Sequence, residues 1–343
     1  MPSDTPTLRT LAKALGLSRT TVSDALRGSS RVDPRTAERV RRAAEAAGYR
    51  RNPLAGALMS ELRRSRGSEF RGVLAAVDFH EAQRPEGAAA YHGKLVQGLA
   101  QRAAELGFKL ERFTAGTEGL SVPRLGSILQ SRGIGAVALL PSWVPPDLSA
   151  LDWTHFTGVY TDYLIERPRL HAVCSDQYRS LLGALRLLQA RGYRRPGLYL
   201  QRRQDERLQF RWSAAFRAFQ ESLPKAERTR PLVVETYAQP AFTAWFRREQ
   251  PDVVLSHHAP AIAWMEAAGA RLPRTHGFAC LNLDMAVHPA AGLDLQPHLL
   301  GARAAELLIA QLQRNETGIP EWPSTTMISA RWSEGPTLRP AAG

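Results

Sequence analysis

Residues 7–58 read TLRTLAKALGLSRTTVSDALRGSSRVDPRTAERVRRAAEAAGYRRNPLAGAL, and this stretch decides how the N-terminal part of the chain folds. Thr7 is suited to cap a helix, and that helix is predicted to end at Gly16. Its apolar residues recur at the i, i+3, i+4 and i+7 spacing of one buried face: Leu8, Leu11, Ala12 and Leu15.

A second helix is predicted directly after this glycine. Ser18 is placed to cap it. Its apolar residues Val22, Ala25 and Leu26 are predicted to face inward, and its polar residues Arg19, Thr20 and Ser23 to face outward. A helix, a short glycine-containing turn and a second helix form the helix-turn-helix pattern, in which the front of the second helix enters the DNA major groove. The stretch therefore predicts a DNA-binding unit.

A third helix and a short apolar segment complete the stretch. Asp33 and Pro34 supply an N-cap followed by proline at the first helical position. The third helix is predicted to end at Gly48, with four residues on its buried face: Ala37, Val40, Ala44 and Ala47. Asn52 and Pro53 repeat the cap-and-proline pair and open the apolar segment.

The order of these motifs resembles a known family. The runs T-L-R-T-L-A at 7–12, G-L-S-R-T-T-V-S at 16–23 and A-E-A-A-G-Y-R-R-N-P-L-A-G-A-L at 44–58 resemble the DNA-binding domain and hinge of LacI/GalR bacterial transcriptional regulators. In that family a helix-turn-helix dimer reads two half-sites, and paired hinge helices push a leucine into the minor groove. Three short helices alone would equally fit a small bundle with a solvated basic face. The caps, turn and hinge in sequence favour the DNA-binding interpretation.

The resemblance assigns roles to individual residues. It places Arg19 and Thr20 at the base edges and Leu58, six residues after Asn52, in the minor groove. Many relatives have arginine where this chain has Asp24, so the base preference is expected to differ. The predicted DNA-binding residues are Thr7, Leu8, Arg9, Ser18, Arg19, Thr20, Thr21, Ser23, Asp24, Arg27, Arg31, Asn52, Ala55 and Leu58.

The composition of the whole chain limits its class. Its 343 residues, of which 44% are hydrophobic, are enough for two or three domains with sizeable cores. The sequence has no apolar run of the roughly 18 residues that a membrane span needs, and its polar N-terminus lacks a signal-peptide core. Its two cysteines, Cys174 and Cys280, exclude a disulfide framework or a cysteine-rich zinc site. We therefore expect a cytoplasmic protein without a membrane partner.

The net charge of +13 is concentrated near the N-terminus. Residues 1–71 carry 15 Lys and Arg against 7 Asp and Glu, a net charge of +8, which leaves +5 for the rest of the chain. A basic run is often only a solvated surface. Beside a helix-turn-helix it is expected to contact phosphates, which gives affinity without sequence information.

From residue 72 onward, short apolar strands alternate with helices, which is typical of parallel sheets covered by helices. Two such series follow one another, so two lobes are expected. This part resembles the effector-binding core of the same family, which is similar to periplasmic sugar-binding proteins. The predicted fold is an N-terminal all-α helix-turn-helix domain with a hinge helix, followed by a two-lobed α/β core with parallel sheets. The predicted boundaries are 1–51 for the DNA-binding domain, 52–71 for the hinge helix and basic linker, 72–162 plus 295–323 for the first lobe, and 163–294 plus 324–343 for the second.

Ligands of two-lobed α/β proteins bind in the crevice at the carboxyl ends of the strands. The family's pocket uses an arginine, a polar residue and an aspartate at such ends. The resemblance implies that Arg207 or Arg211 supplies the arginine and that His257 supplies the polar residue. Asn282 stands where the family has the aspartate. The predicted effector-binding residues are Asp78, His80, Trp143, Asp162, Arg207, Arg211, His257, Asn282 and Asp284. The aromatic and amide groups favour a neutral polyol over a phosphate, while the two arginines leave an acidic sugar open.

Two enzyme-like signals are weak. Gly133–Ala138 matches G-x-G-x-x-A, but it precedes a strand where the dinucleotide fingerprint must follow one. The pair His257 and His258 lacks accompanying ligands at metal-binding spacing, so neither a cofactor nor a metal is expected.

Three function classes fit parts of the sequence. A solute-binding receptor explains only the lobes, and an α/β enzyme needs a catalytic set that the sequence does not display. The favoured hypothesis is a non-enzymatic transcriptional regulator, expected to be a repressor. It would bind a near-palindromic operator in double-stranded DNA as a homodimer, and a small-molecule effector, expected to be a carbohydrate, would change its operator affinity.

Overall fold

The structure of the protein is a computed structural model that describes residues 8–26, 32–47, 71–79, 87–116, 119–163, 165–286 and 289–340. These residues fall into a small N-terminal unit and a large unit that starts at Phe70, and each is described by itself. The predicted hinge helix and basic linker, 52–71, lie outside the described residues except for Arg71.

The small unit contains three helices, α1 (Leu8–Leu15), α2 (Arg19–Leu26) and α3 (Pro34–Ala46). Helix α1 ends at Gly16, whose φ of +63° lets the Leu17 N–H reach back to the Ala12 carbonyl at 3.0 Å. The Ser18 hydroxyl accepts the Thr21 N–H at 3.0 Å and so caps α2, as predicted.

Helix α3 has the predicted cap, in which Asp33 accepts the Thr36 N–H at 3.0 Å and Pro34 is the first helical residue. Ala47, predicted to lie on the buried face of this helix, is exposed because it is already the C-cap residue. The buried core of the small unit consists of Leu11, Ala12, Val22, Ala25, Ala37, Val40 and Ala44. The predicted cap at Thr7 and stop at Gly48 lie outside the described residues.

The large unit contains two six-stranded sheets with helices around them. The first sheet has the order β11-β5-β4-β3-β1-β2 and is parallel throughout. Its strands are β1 (Gly72–Phe79), β2 (Phe108–Ala115), β3 (Ala136–Leu139), β4 (Thr157–Tyr160), β5 (His171–Ser175) and β11 (Thr325–Ile328).

The second sheet repeats this arrangement with the order β12-β10-β9-β8-β6-β7. Only β12, paired with β10, is antiparallel among its described strands. Its strands are β6 (Pro196–Gln201), β7 (Leu232–Val234), β8 (Val253–Ser256), β9 (Gly277–Cys280), β10 (Ala291–Asp294) and β12 (Arg331–Ser333). Strands β3, β4, β8 and β9 are buried along their whole length, which explains why they read as short, largely apolar runs.

Eight helices of the described core connect the strands. They are α4 (Ala88–Glu105), α5 (Val122–Ser131), α6 (Gln177–Ala190), α7 (Arg202–Arg207), α8 (Arg211–Glu221), α9 (Gln239–Glu249), α10 (Ala261–Ala267) and α11 (Pro297–Arg314). Helices α4 and α11 meet at two glycines. A Cβ on Gly98 would lie 1.9 Å from the His298 carbonyl oxygen, and one on Gly301 would lie 2.0 Å from the Leu95 carbonyl oxygen. Only glycine permits this backbone approach.

The sheets correct two of the predicted lobe boundaries. Strands β5 and β11 were placed in the second lobe, yet both pair within the first sheet. The chain therefore leaves the first lobe after Ser175, returns between β10 and α11, and leaves again between Ile328 and Arg331. Strand β11 gave no signal in the sequence because it is an edge strand with three exposed residues of four.

Candidate functional site

A polar cleft lies between the carboxyl ends of the two sheets, within the large unit. It encloses about 700 Å³, including its mouth toward solvent. Residues at or after the ends of β1, β3, β4 and β5 form one wall, and residues that follow β6, β8, β9 and β10 form the other. The cleft therefore occupies the position where two-lobed α/β proteins bind ligands.

Five of the predicted effector-binding residues line this cleft: Trp143, Asp162, Arg207, His257 and Asn282. Three others do not line it. Asp78 faces His92, with 3.7 Å between its Oδ1 and the imidazole Nδ1, and Asp284 pairs with Lys94. Arg211 lies over the Tyr163 ring, 4.2 Å from its centroid. The ninth, His80, lies outside the described residues.

Sequence reasoning missed more of the lining than it found. The missed residues are Ala88, Tyr91, His92, Pro141, Ser142, Thr161, Ser175, Gln177, Gln204, Leu208, Trp212, Met285 and Leu295. Several lie in the first turns of the helices that follow β1, β5 and β6 rather than at the strand ends themselves. The available signal was a polar or aromatic residue early in such a helix, as at His92, Gln177 and Trp212.

An ion pair crosses the cleft. Arg207 of α7, in the second lobe, binds the carboxylate of Asp162, which follows β4 in the first lobe. Its guanidinium also donates from Nε to the Ser142 carbonyl at 3.4 Å and lies 5.2 Å from the Trp143 ring centroid. The other carboxylate oxygen of Asp162 accepts the Tyr163 N–H at 2.8 Å. We call Arg207 and Asp162 the crossing pair.

Other polar atoms of the cleft form no hydrogen bond within the described parts of the chain. The described residues contain nine buried side-chain polar atoms without a hydrogen bond, and five of them belong to the cleft lining. These five, the unpaired set, are His92 Nδ1, Ser142 Oγ, Gln177 Oε1, Trp212 Nε1 and His257 Nδ1. His92 Nδ1 has an oxygen of Asp78 at 3.7 Å, beyond hydrogen-bond distance. Buried polar atoms are nearly always hydrogen-bonded, so their concentration in one cleft points to a polar ligand.

His257 is uncharged in this setting. Burial, and secondly the nearby Arg207 charge, lower the pKa of its imidazole to about 3. Its ring meets the indole of Trp212 edge-on, with 5.6 Å between the centroids. A neutral imidazole offers one donor and one acceptor, which suits a hydroxyl group.

The candidate DNA-reading surface is described only in part. Helix α2 begins at Arg19, and the Ser18 and Thr21 hydroxyls are 2.8 Å apart. The side chains of Leu8, Arg9, Arg19, Thr20 and Ser23 lie outside the described residues, as do Thr7, Arg27, Arg31, Asn52, Ala55 and Leu58 altogether. Asp24 is half-buried in α2.

The described residues contain neither a metal-binding cluster nor a membrane-spanning helix. No group of three or more His, Cys, Asp or Glu side chains there is arranged to hold a metal ion. None of the described helices is both long and apolar enough to cross a membrane.

Comparison with known proteins gives one family. Residues 7–52 match the family model described as bacterial regulatory proteins, lacI family. A curated relative, the HTH-type transcriptional regulator CelR of Thermobifida fusca, is 31% identical over 135 residues, which cover 39% of this chain and 37% of the relative. The match therefore spans well under half of that relative's length.

Solved structures share the fold over nearly the full chain. A complex of the transcriptional regulator CelR with cellobiose matches with a TM-score of 0.56 and 22% identity, over 97% of this chain and 99% of that one. The lac repressor dimer bound to operator and the anti-inducer ONPF matches with a TM-score of 0.55 and 15% identity, also over 97% and 99%. At these identities the similarity establishes the fold.

Proposed function

We infer that this chain, whose residues 7–52 belong to the lacI family of bacterial regulatory proteins, is a DNA-binding transcription regulator controlled by a small carbohydrate. The carbohydrate binds in the cleft between the two sheets. The observation that carries this proposal is the unpaired set, five buried polar atoms that line one cleft in a chain with a helix-turn-helix.

The chemistry of the cleft suits hydroxyl groups. The Trp212 indole N–H can only donate, the Gln177 Oε1 can only accept, and the neutral His257 ring does one of each. Sugar hydroxyls both donate and accept, so one ligand can satisfy this mixture. The aromatic face of Trp143 adds an apolar surface for the C–H side of a sugar ring. A relative of this fold is known with cellobiose bound, which supports the same ligand class here.

Ligand binding would act on DNA through lobe orientation. The lining comes from both sheets, so a ligand that contacts both walls stabilises one relative orientation of the lobes over others. A difference in ligand affinity of about 1 to 3 kcal/mol between the DNA-binding and the non-binding state changes DNA affinity roughly 5- to 150-fold.

The N-terminal unit would read DNA as one half of a homodimer. A single helix-turn-helix covers few base pairs, and two-fold proteins read two-fold sites, so a near-palindromic operator is expected. We assign the base contacts to Arg19 and Thr20, the minor-groove insertion to Leu58, and phosphate contacts to the net charge of +8 on residues 1–71. Such a protein acts as a repressor in the cytoplasm rather than as an enzyme.

The test begins with the full-length protein and a pool of random duplexes from which bound sequences are selected. A near-palindromic consensus is expected, with affinity falling steeply as salt rises. Adding cellobiose or a related sugar is expected to change the affinity for that consensus at least about fivefold. Leu58→Ala should weaken consensus binding while leaving the unfolding of the core unchanged. Selection of no consensus, or binding that salt does not affect, would refute the DNA-binding role.

A further inference from the structure

The ionisable groups that line the cleft carry almost no net charge in the absence of a ligand. They are Tyr91, His92, Asp162, Arg207 and His257. Of these described lining residues, Arg207 is the one arginine, and the lining contains no lysine. The net charge of the cleft therefore depends on whether the Arg207 guanidinium has a negatively charged partner.

Asp162 already neutralises Arg207. Their side chains are 7% and 14% exposed, and the two groups bind each other directly. The Asp162 carboxylate is also held by the Tyr163 N–H at 2.8 Å, which fixes it opposite the arginine. A well-placed, mostly buried carboxylate of this kind is a strong partner for a guanidinium.

The remaining groups add no uncompensated positive charge. Burial, followed by Arg207, keeps the His257 pKa at about 3, and burial raises the pKa of the Tyr91 hydroxyl, so both are neutral. His92 has its own carboxylate, Asp78, at 3.7 Å.

The other cations near the cleft lie outside its lining. Lys94 pairs with Asp284, and Arg211, the second arginine that the sequence left open for an acidic ligand, lies over the Tyr163 ring outside the lining. Arg203 lies 5.9 Å from the centroid of the Trp143 ring and is not a lining residue.

We propose that the cleft selects uncharged polyhydroxy ligands and excludes their carboxylate and phosphate derivatives, because Asp162 occupies the guanidinium of Arg207. This inference rests on the proposed function and concerns the charge class of its ligand. It makes the crossing pair the determinant of specificity.

The physical reason is the cost of an unpaired buried charge. An anionic ligand would have to separate Asp162 from Arg207, or bring a second negative charge beside that carboxylate, and either outcome leaves a charge without a partner. A hydroxyl group, in contrast, can donate to Asp162 and accept from Arg207 while the two stay together. Specificity of this kind depends on repulsion of the wrong ligand as much as on attraction of the right one.

The experiment measures matched neutral and acidic probes by calorimetry on the full-length protein. The pairs are cellobiose with cellobionate, glucose with glucuronate, and glucose with glucose 6-phosphate. In at least one pair the neutral member is expected to bind at least about tenfold more tightly than its acidic counterpart. Asp162→Asn frees the guanidinium while an amide oxygen can still accept the Tyr163 N–H, so the neutral-to-acid affinity ratio should fall about tenfold or more.

Glu166→Gln is the matched control. It removes one negative charge from the same connection between β4 and β5, where the exposed Glu166 accepts from Gln209 Nε2 at 3.3 Å outside the cleft lining. This control should keep the parent ratio. Thermal unfolding confirms that each variant is folded. If Asp162→Asn does not fold, the neutral-to-acid affinity ratio of the parent protein tests the charge selection by itself.

The outcomes separate the two proposals. If the parent binds an acidic probe as tightly as its neutral counterpart, the charge selection is wrong while the carbohydrate-binding function stands. If Asp162→Asn has the same neutral-to-acid affinity ratio as the parent, Asp162 does not determine the charge selection, while the carbohydrate-binding function stands. If neither parent nor variant binds any probe, the carbohydrate function fails, and the charge selection fails with it.

Discussion

The crossing pair and the unpaired set lie in the same cleft, yet they differ in how their polar groups are satisfied. Arg207 and Asp162 bind each other across the cleft, and the Ser142 carbonyl and the Tyr163 N–H complete their contacts. The unpaired set is just as buried but contains five atoms without a hydrogen bond. The first region is internally paired, whereas the second has no hydrogen-bond partners within the described part of the protein.

The two regions therefore have different roles. The crossing pair connects the two lobes directly and so contributes to the stability of the ligand-free core. The unpaired set finds no hydrogen-bond partner within the described protein, so a ligand or water has to supply one. A buried polar atom left without any partner is unfavourable by about 1 to 3 kcal/mol. Removing Arg207 should therefore have its largest effect on the stability of the core, whereas removing a member of the unpaired set should have a smaller effect on stability and should weaken ligand binding.

The largest effect is expected for Arg207→Met. This change leaves the buried Asp162 carboxylate without its partner, so the free energy of unfolding of the core should fall by about 3 kcal/mol. Urea unfolding followed by tryptophan fluorescence measures it, because all seven tryptophans lie beyond residue 71. Arg202→Met is the control, since its ion pair with Glu235 is exposed and is expected to contribute under about 1 kcal/mol. Equal losses in the two variants would contradict the role of the crossing pair.

A smaller effect is expected from the titration of His257. Its pKa is lowered to about 3 in the folded protein, against about 6.5 in an unfolded chain, so between these pH values only the unfolded chain takes up the proton. The stability that neutral His257 provides is complete above about pH 6.5 and decreases as the pH falls toward 3. Between pH 7 and pH 5 the loss is about 2 kcal/mol.

His257→Gln isolates this contribution, because the pKa values of His258 and His276 are also lowered by burial and both residues remain in the variant. Urea unfolding at pH 7, 6 and 5 should give a shallower decline for His257→Gln than for the parent. Parallel declines would mean that His257 takes up its proton in the folded state.

The smallest effect is expected for Gln177→Met. Methionine has nearly the same shape but lacks the unpaired Oε1, so the ligand-free core should become more stable by about 1 kcal/mol. Affinity for a sugar that binds the parent should fall about tenfold, since one hydrogen bond to the ligand is lost. Gln189→Met, at an exposed position of the same helix, should change neither quantity. A destabilised Gln177→Met variant with parental sugar affinity would remove this residue from the unpaired set.

The sequence was sufficient for the regular features of the fold. Helix caps at Ser18 and Asp33 and the stop at Gly16 depend on local chemistry, and the structure contains all three. The alternation of strands and helices likewise predicted two lobes, because buried parallel strands have a distinctive apolar pattern.

The sequence did not predict where the chain crosses between the lobes or which residues of the cleft contact each other. Strand β5 follows directly on the first lobe but was not recognised, and the exposed edge strand β11 has no apolar pattern. The strand-end rule located Asp162, Arg207 and His257, but it could not tell that two of them bind each other. Pairing between residues 45 positions apart depends on how the lobes pack, which single-sequence periodicity does not record.

We expect ligand binding in the cleft and DNA binding at the helix-turn-helix to be coupled, and thermodynamic linkage between the two sites can be measured. The dissociation constant of the sugar is measured by calorimetry on the full-length protein alone and on the protein saturated with its selected operator. The dissociation constant of the operator is then measured with and without saturating sugar. We expect the two ratios to be equal and to differ from one by about fivefold or more, because coupling between two sites is reciprocal. Sugar binding with a ratio of one in both experiments would contradict it.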